Sequence, residues 1–556
     1  MSEQNRQLLP QRAVRLRFDR WSAGALVIAI IVVLPIAAVL WFALTPTDNI
    51  WPHLMATTFP RYLRNTVILM LSVGALTAVV GTTTAWLVTM YTFAGRRWLQ
   101  WALLMPLAVP AYVGAYALVD FLEYAGPVQT ALRGVMGWEN AADYAFPAIR
   151  TRTAAAIVLS ASLYPYVYLL ARAAFREQSG AGFEVARALG VGPFGRFFRV
   201  GLPLARPAIA AGVAVVMMET VNDFGTVDYF AVQTLTTGIF TVWLQGGNLG
   251  GAAQLATCVL GMVVFLVVLE KVSRRKSKFF ASVRGQRPVS RSALTRGQGV
   301  VAFVVCLVPV LVGFVLPVSV LSSHAFDASE WFQPGLRKAL WHTVTVAGGA
   351  SVLTVLGGIF MVYGVRLSRR KLPKLLMPVT AIGYAAPGAV LGLGILVPLA
   401  ALDNRVADGV LAITGYDPGL MLTGTAGVLV MAYVVRFFAI AQGAADAAFG
   451  RVSPSLPMAA RSLGQTAGGA LRRVYMPLMR ASIGSALLLV FVDAVKELPA
   501  TLLLRPFGYD TLATRVHAKA SLENISEAAP AALMITLVGL VAVILLARAH
   551  KEGLQG

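Results

Sequence analysis

The chain has 556 residues, 57% of them hydrophobic and only 13% charged, where an ordinary soluble domain carries about 25% charged residues. That balance excludes a soluble globular domain. Most of the Lys and Arg behind the net charge of +22 lie in short loops on one side of the apolar runs. This is the positive-inside asymmetry of a membrane protein, and it excludes nucleic acid as a partner.

A polar, basic stretch from Arg6 to Arg20 comes first. The apolar run after it lacks a small-residue cleavage site and is expected to stay as a span, not to leave as a signal peptide. Apolar runs long enough to cross a bilayer follow near 23–45, 65–91, 98–121, 154–174, 205–221 and 252–270, and again near 299–321, 341–364, 375–399, 425–445, 481–499 and 529–548. Each must be helical, because a lipid-exposed backbone cannot leave its polar groups unpaired. The predicted fold is an all-α membrane protein of about twelve transmembrane helices, with both termini inside. Residues 271–298 hold nine Lys/Arg and no acid. They read as a basic cytoplasmic linker, able to touch anionic membrane lipid, between a first transmembrane domain at 1–270 and a second at 299–556. Six spans per half is an even number, so the two repeats are parallel and not inverted. Cys258 and Cys306 both lie inside spans and read as small buried residues.

The halves agree in detail. Leu63-Arg64-Asn65-Thr66-Val67 opens the second span and Leu340-Trp341-His342-Thr343-Val344 the eighth. Met105-Pro106 with Pro110, and Met377-Pro378 with Pro387, are expected to kink or break the third and ninth spans. The strongest repeat is in two inside loops, 179–204 and 453–480. Glu184-Val185-Ala186-Arg187-Ala188-Leu189-Gly190 is followed by Pro203, and Met458-Ala459-Ala460-Arg461-Ser462-Leu463-Gly464 by Pro477, with the same Gly-to-Pro spacing and 274 residues between copies. Each glycine is expected to stop a short helix and each proline to start the next one.

Polar residues gather where they are costly. Glu219, Asn222 and Asp223 end the fifth span; Asp493, Lys496 and Glu497 end the eleventh at the same 274-residue offset. Their i, i+3, i+4 spacing places each set on one helix face. Two readings are compatible: a lining of the translocation path, or an ion-pair gate in which Lys496 meets Glu219 or Asp223. Carboxylate oxygens also suit hard cations, although no metal-ligand set is assigned. Arg436, in the tenth span, needs a carboxylate or carbonyl partner, and Arg172 can reach the inner surface.

The paired loops resemble the EAA loop of permease subunits of bacterial ATP-binding-cassette (ABC) importers, whose type I permease fold the resemblance implies. In that family the loop forms a coupling helix that docks on the ATPase. Glu184, Ala186, Gly190 and Pro203 match in the first copy, and Ala459, Ala460, Gly464 and Pro477 in the second; Val185 and Met458 depart from the pattern. The resemblance implies an inner-membrane importer permease with two copies of a cytoplasmic ATPase, which bind the ATP and Mg2+, and a periplasmic binding protein. Met218 to Val227 and Lys496 to Pro506 resemble the ferric-iron permeases, so ferric iron is the implied cargo. Fused thiamine and phosphonate permeases share the architecture. A gradient-driven secondary transporter is the reading from another class.

The chain itself lacks the means to hydrolyse ATP. No Gly-x-x-x-x-Gly-Lys-Ser/Thr loop occurs, nor any Gly-Lys pair. It is expected to be a permease without an enzymatic site and without a cofactor of its own.

Overall fold

The computed structural model describes residues 20–275 and 291–552, apart from 327, 368–370, 381–382, 384–385 and 454. The basic stretch before the first span and most of the 271–298 linker lie outside the described residues. The protein is all-α; among the described residues the strands are a two-residue parallel pair, β1 (Tyr91–Thr92) with β2 (Ser292–Ala293). Eleven described helices are long and apolar enough to cross a membrane, and a bent pair makes a twelfth.

In the first half the main helices are α1 (Arg20–Leu44), α2 (Phe59–Met90), α3 (Arg96–Ala102), α4 (Ala111–Leu122), α5 (Arg152–Glu177), α6 (Gly180–Ala188), α7 (Leu202–Asn222), α8 (Gly225–Tyr229), α9 (Leu235–Phe240) and α10 (Leu249–Arg275), with further short helices at Trp51–Ala56, Pro127–Met136 and Pro193–Arg196. In the second they are α11 (Arg296–Val310), α12 (Leu316–His324), α13 (Leu336–Leu367), α14 (Lys371–Thr380), α15 (Gly388–Thr414), α16 (Gly427–Arg451), α17 (Ser455–Ser462), α18 (Met476–Val495), α19 (Pro499–Leu504), α20 (Leu512–Ser521) and α21 (Ile525–Glu552).

Proline breaks the third and ninth spans where expected. The helical path from Arg96 to Ala108 turns by 93° into the one that starts at Ala111, and Pro110 takes the position just before α4. Pro387 takes the same position before α15. Without an N–H, proline serves at a helix start, where that donor would have no partner in any case. The ninth run, expected at 375–399, is therefore two pieces, α14 and the longer α15.

The paired motifs at the start of α2 and α13 each anchor a later segment. Thr66 Oγ1 donates to the Tyr62 carbonyl and accepts from Leu235 N at 2.9 Å. Thr343 Oγ1 donates to the Ala339 carbonyl and accepts from Leu512 N at 2.8 Å. The helices held in this way, α9 and α20, each begin with a Thr–Thr capping box, Thr234 with Thr237 and Thr511 with Thr514.

The halves interlock. The first span of each lies against the bent span of the other: α1 packs on α14 and α15 as well as α10, and α12 packs on α4 as well as α21. The contact is close at Gly394, where a Cβ would stand 2.1 Å from the Pro35 carbonyl oxygen. At the end away from α6 and α17 the halves are tied by polar contacts. Arg150 joins Glu123 and Glu523, at 2.7 Å each. His324 Nε2 lies 2.8 Å from Asp120 Oδ2, and Tyr116 Oη lies 3.0 Å from His517 Nδ1.

Gly394→Ala should force α1 away from α15, because backbone stands on both sides of the contact. The expected loss is about 1–3 kcal/mol, read as a lower midpoint in thermal unfolding of the purified protein. Gly484→Ala, where an added Cβ meets nothing within 4 Å, should leave the midpoint in place.

Candidate functional site

The two loop motifs fold alike. In the first, Gly190 has φ +75°; its N–H donates to the Arg187 carbonyl and Val191 N–H to Ala186 at 2.9 Å. In the second, Gly464 has φ +81°; its N–H donates to Arg461 and Gln465 N–H to Ala460 at 3.0 Å. Both are left-handed glycine stops that close the carbonyl end of a short helix, α6 or α17. The residue before each glycine is an exposed leucine, Leu189 at 77% and Leu463 at 82%. Glu184 and Met458, at the head of the motif, are exposed too; Ala186 is buried and its counterpart Ala460 half-buried, while Ala459 is exposed. Single exposed apolar residues are ordinary; two at matching positions on matching turns make a repeated protruding surface.

The prolines do not start a fresh helix, as the spacing led us to expect. Pro203 and Pro477 sit in the first turn of α7 and α18, inside helical paths that run unbroken from Pro193 to Asn222 and from Ala467 to Val495. Immediately before them, Phe197–Gly201 and Leu471–Tyr475 are π-helical turns. The wider turn accommodates a proline that has no N–H to donate.

The six polar residues at the ends of the fifth and eleventh spans line one cavity of about 150 Å³ between the halves. Tyr112, Ser162 and Tyr166 of the first half and Arg436 of the second complete its polar wall. Their placement differs from the one-face expectation. Helix α7 stops at Asn222 and α18 at Val495, so Asp223, Lys496 and Glu497 leave the helical face. Asp223 and Glu497 instead receive the first N–H groups of the next helices. Asp223 Oδ1 accepts from Thr226 N at 3.0 Å and Val227 N at 3.1 Å, and its Oδ2 accepts from Thr226 Oγ1. Glu497 Oε1 accepts from Ala500 N at 2.9 Å and Oε2 from Thr501 N at 3.0 Å and Thr501 Oγ1 at 2.6 Å. The carboxylates thus satisfy helix-start donors that water does not reach.

Lys496 also has a partner on its own segment. Lys496 Nζ lies 2.8 Å from Asp493 Oδ1, three residues back on its own segment. Asp223 is held by its own loop, and Glu219 is within electrostatic reach of Lys496. Arg436 finds its carboxylate: Nη1 lies 3.1 Å from Glu497 Oε1, whose side chain is 1% exposed. The first-half position matching Arg436 is Ser162, so the first half carries the acid without the guanidinium. Arg172 is held by the Gln100 carbonyl and side chain.

Tyr112 and Asn222 were not singled out together by sequence, yet both are buried in this wall, and among the described residues neither Tyr112 Oη nor Asn222 Oδ1 has a hydrogen-bond partner. The available signal for Tyr112 was its place two residues after Pro110. Among the described residues no three His, Cys, Asp or Glu side chains converge as a metal-holding group.

A helical bundle of two matched halves, each bearing a helix–glycine turn at one end and an acid-capped break at the other, is the arrangement expected of an importer permease of the ABC type. The family described as binding-protein-dependent transport system inner membrane component matches residues 77–278, from within α2 to just past α10. Over that stretch the chain is similar to transport components of that class. It is 24% identical over 494 residues to the Fe(3+)-transport system permease protein FbpB 2 of Haemophilus influenzae, covering 87% of this chain and 89% of that one. It is 23% identical to the ferric transport system permease protein FbpB of Actinobacillus pleuropneumoniae, over 72% of this chain and 58% of that one. It is 27% identical to the molybdenum transport system permease protein ModB of Escherichia coli, over 35% of this chain and 85% of that one.

Arg436→Met should leave a buried carboxylate without its cation and cost about 3–5 kcal/mol. Adding Glu497→Gln should restore most of the loss. Denaturation of the single and double variants in detergent checks this; equal stability of wild type and the single variant would remove Arg436 from the structural account.

Proposed function

We propose that this chain moves ferric iron from the periplasm to the cytoplasm as the fused permease of an ATP-driven importer. The observation that carries the cargo is similarity across most of the chain to a relative named for Fe(3+) transport. The molybdenum-named relative aligns over about a third of it. The iron is substrate here, not a resident metal, and a phosphonate-named relative aligns over 45% of this chain, so the phosphonate reading has less support.

In this reading both termini face the cytoplasm, and residues 1–270 and 299–556 each act as one permease domain joined by the 271–298 linker. One chain replaces a permease pair. Two copies of a cytoplasmic ABC ATPase, which bind the ATP and Mg2+, dock on α6 and α17 within loops 179–204 and 453–480. Glu184, Ala186, Gly190 and Pro203 serve the first dock, and Ala459, Ala460, Gly464 and Pro477 the second. Leu189 and Leu463 enter apolar hollows of the ATPase. The second dock lacks the acid, so the two contacts are unequal. A periplasmic binding protein delivers cargo at the opposite end.

Closure of the ATPase pair pushes α6 and α17, and the rigid paths that continue into α7 and α18 carry the push to the cavity. The ties Arg150–Glu523, Asp120–His324 and Tyr116–His517 then part. Cargo enters among Glu219, Asn222, Asp223, Asp493, Lys496 and Glu497. These residues line the path: four carboxylates against the cations of Lys496 and Arg436 favour a cationic guest. Hydrolysis restores the ties and releases cargo inward.

Deletion of the gene in cells without a second iron importer should abolish uptake of labelled ferric iron, and wild type should restore it. Glu219→Gln/Glu497→Gln should fail to restore it; full rescue by this variant would reduce the acids to scaffolding. Unchanged uptake on deletion would overturn the cargo.

Gly190→Val and Gly464→Val should each place a branched side chain at a left-handed φ and loosen the dock. A roughly tenfold fall in ATPase capture is expected from each, with membrane insertion intact because no atom crowds either site. Pull-down of the ATPase by the purified permease measures it.

A further inference from the structure

Four arginines converge at the α6 end of the first half, on three segments that are distant in sequence. Arg96 opens α3, Arg172 and Arg176 lie a turn apart on α5, and Arg291 stands next to β2. The β1–β2 pairing brings Arg291 in, and its Nε donates to the Thr89 carbonyl at 3.3 Å. Arg96 is within electrostatic reach of Arg172 and Arg291, and Arg176 of the same two.

Carbonyl and amide oxygens take only part of their donor capacity. Arg96 Nε donates to Val88 O at 2.7 Å. Arg172 donates to the Gln100 carbonyl at 3.4 Å and to its Oε1 at 3.1 Å. An arginine has five N–H donors in a planar fork. Among the described residues none of the four forms an ion pair with a carboxylate. The linker that delivers Arg291 has no Asp or Glu to offer. Four like charges held together without protein counter-charge repel one another, and guanidinium forks are matched to phosphate oxygens.

The setting is that of a membrane surface. The Arg172 guanidinium lies 5.3 Å from the Trp101 ring centroid. Trp98, one turn away on α3, is 48% exposed. Indoles favour the boundary between hydrocarbon and water, and basic pockets between spans on the inner side suit anionic headgroups.

We propose that Arg96, Arg172, Arg176 and Arg291 form a phosphate-binding site whose occupant is the headgroup of an anionic phospholipid. Such a lipid pins the end of the linker to α5 and so joins the entry of the second half to the body of the first. The site is separate from the transport cavity and does not depend on what the cargo is.

The test uses the full-length protein in mixed micelles, titrated with phosphatidylglycerol, phosphatidylcholine or inorganic phosphate, with binding read by native mass spectrometry and by the thermal midpoint. Phosphatidylglycerol should bind and raise the midpoint, and phosphatidylcholine should not. Arg176→Gln should weaken binding roughly fivefold and Arg176→Gln/Arg291→Gln roughly thirtyfold. Both leave the bonds of Arg96 and Arg172 intact. Arg405→Gln, an exposed charge on α15, should have no effect and controls for bulk charge. Displacement of the lipid by millimolar inorganic phosphate would support the phosphate site and assign its occupant to solution. Equal binding of the two lipids, or an unchanged preference in the double variant, would overturn the proposal.

Discussion

A helix that stops inside an apolar medium leaves backbone donors and acceptors that no water can satisfy. The architecture depends on how this chain meets that constraint at two matched places. Helix α7 ends at Asn222 and α18 at Val495, and the following helices α8 and α19 each start on a carboxylate, Asp223 or Glu497, through equivalent i+3 and i+4 backbone N–H groups. A break capped in this manner is tolerated where it lines a cavity and not where it faces lipid. The two caps, with Glu219, Asp493 and Lys496, enclose one cavity between the halves. Polar residues that look expensive one at a time are the means by which the spans can be interrupted.

Duplication produced near-copies, and their differences are informative. The glycine stops, the π-helical turns ahead of Pro203 and Pro477, the threonine anchors Thr66 and Thr343 and the capping boxes of α9 and α20 all recur. At the cavity the copies diverge: Glu497 is bound by Arg436, while the first-half position matching Arg436 is Ser162. A buried ion pair of this kind contributes little net stability once desolvation is counted, although breaking it costs much. Its effect is to fix the second-half wall and leave the first-half acid with its charge unneutralised by arginine. Interlocking of α1 with α15 and of α12 with α4 makes the halves one body around that asymmetric cavity.

Much of this was legible in the chain. Apolar length located the spans, because a bilayer sets a minimum run; the repeat pointed to two matched halves; and Gly190 and Gly464 announced helix stops, because few other residues accept a left-handed φ. Pro110 and Pro387 marked the two breaks for the same local reason. What was not legible was tertiary. Helical periodicity extended α7 and α18 through Asp223 and Glu497, since spacing alone cannot tell a last helical turn from a cap on the next helix. Spacing across the halves pointed Lys496 at Glu219, which is within its electrostatic reach, but did not reveal the added partner Asp493 three residues back on its own segment. The exchange of first spans leaves no trace in hydropathy, because both surfaces offered to α1 are equally apolar. Tyr112 joins the cavity only through the fold.

The central claim is that the halves part at the Arg150–Glu523 end to admit cargo to the cavity, driven from the α6 and α17 end. The most direct measurement is ATP-dependent uptake of labelled ferric iron by proteoliposomes holding the permease, its ATPase and its binding protein, with an Arg150→Cys/Glu523→Cys variant joined by a short bifunctional thiol reagent. The account predicts that uptake stops on cross-linking and returns when a cleavable cross-link is reduced. Uptake that continues at the wild-type rate with that end locked would contradict it.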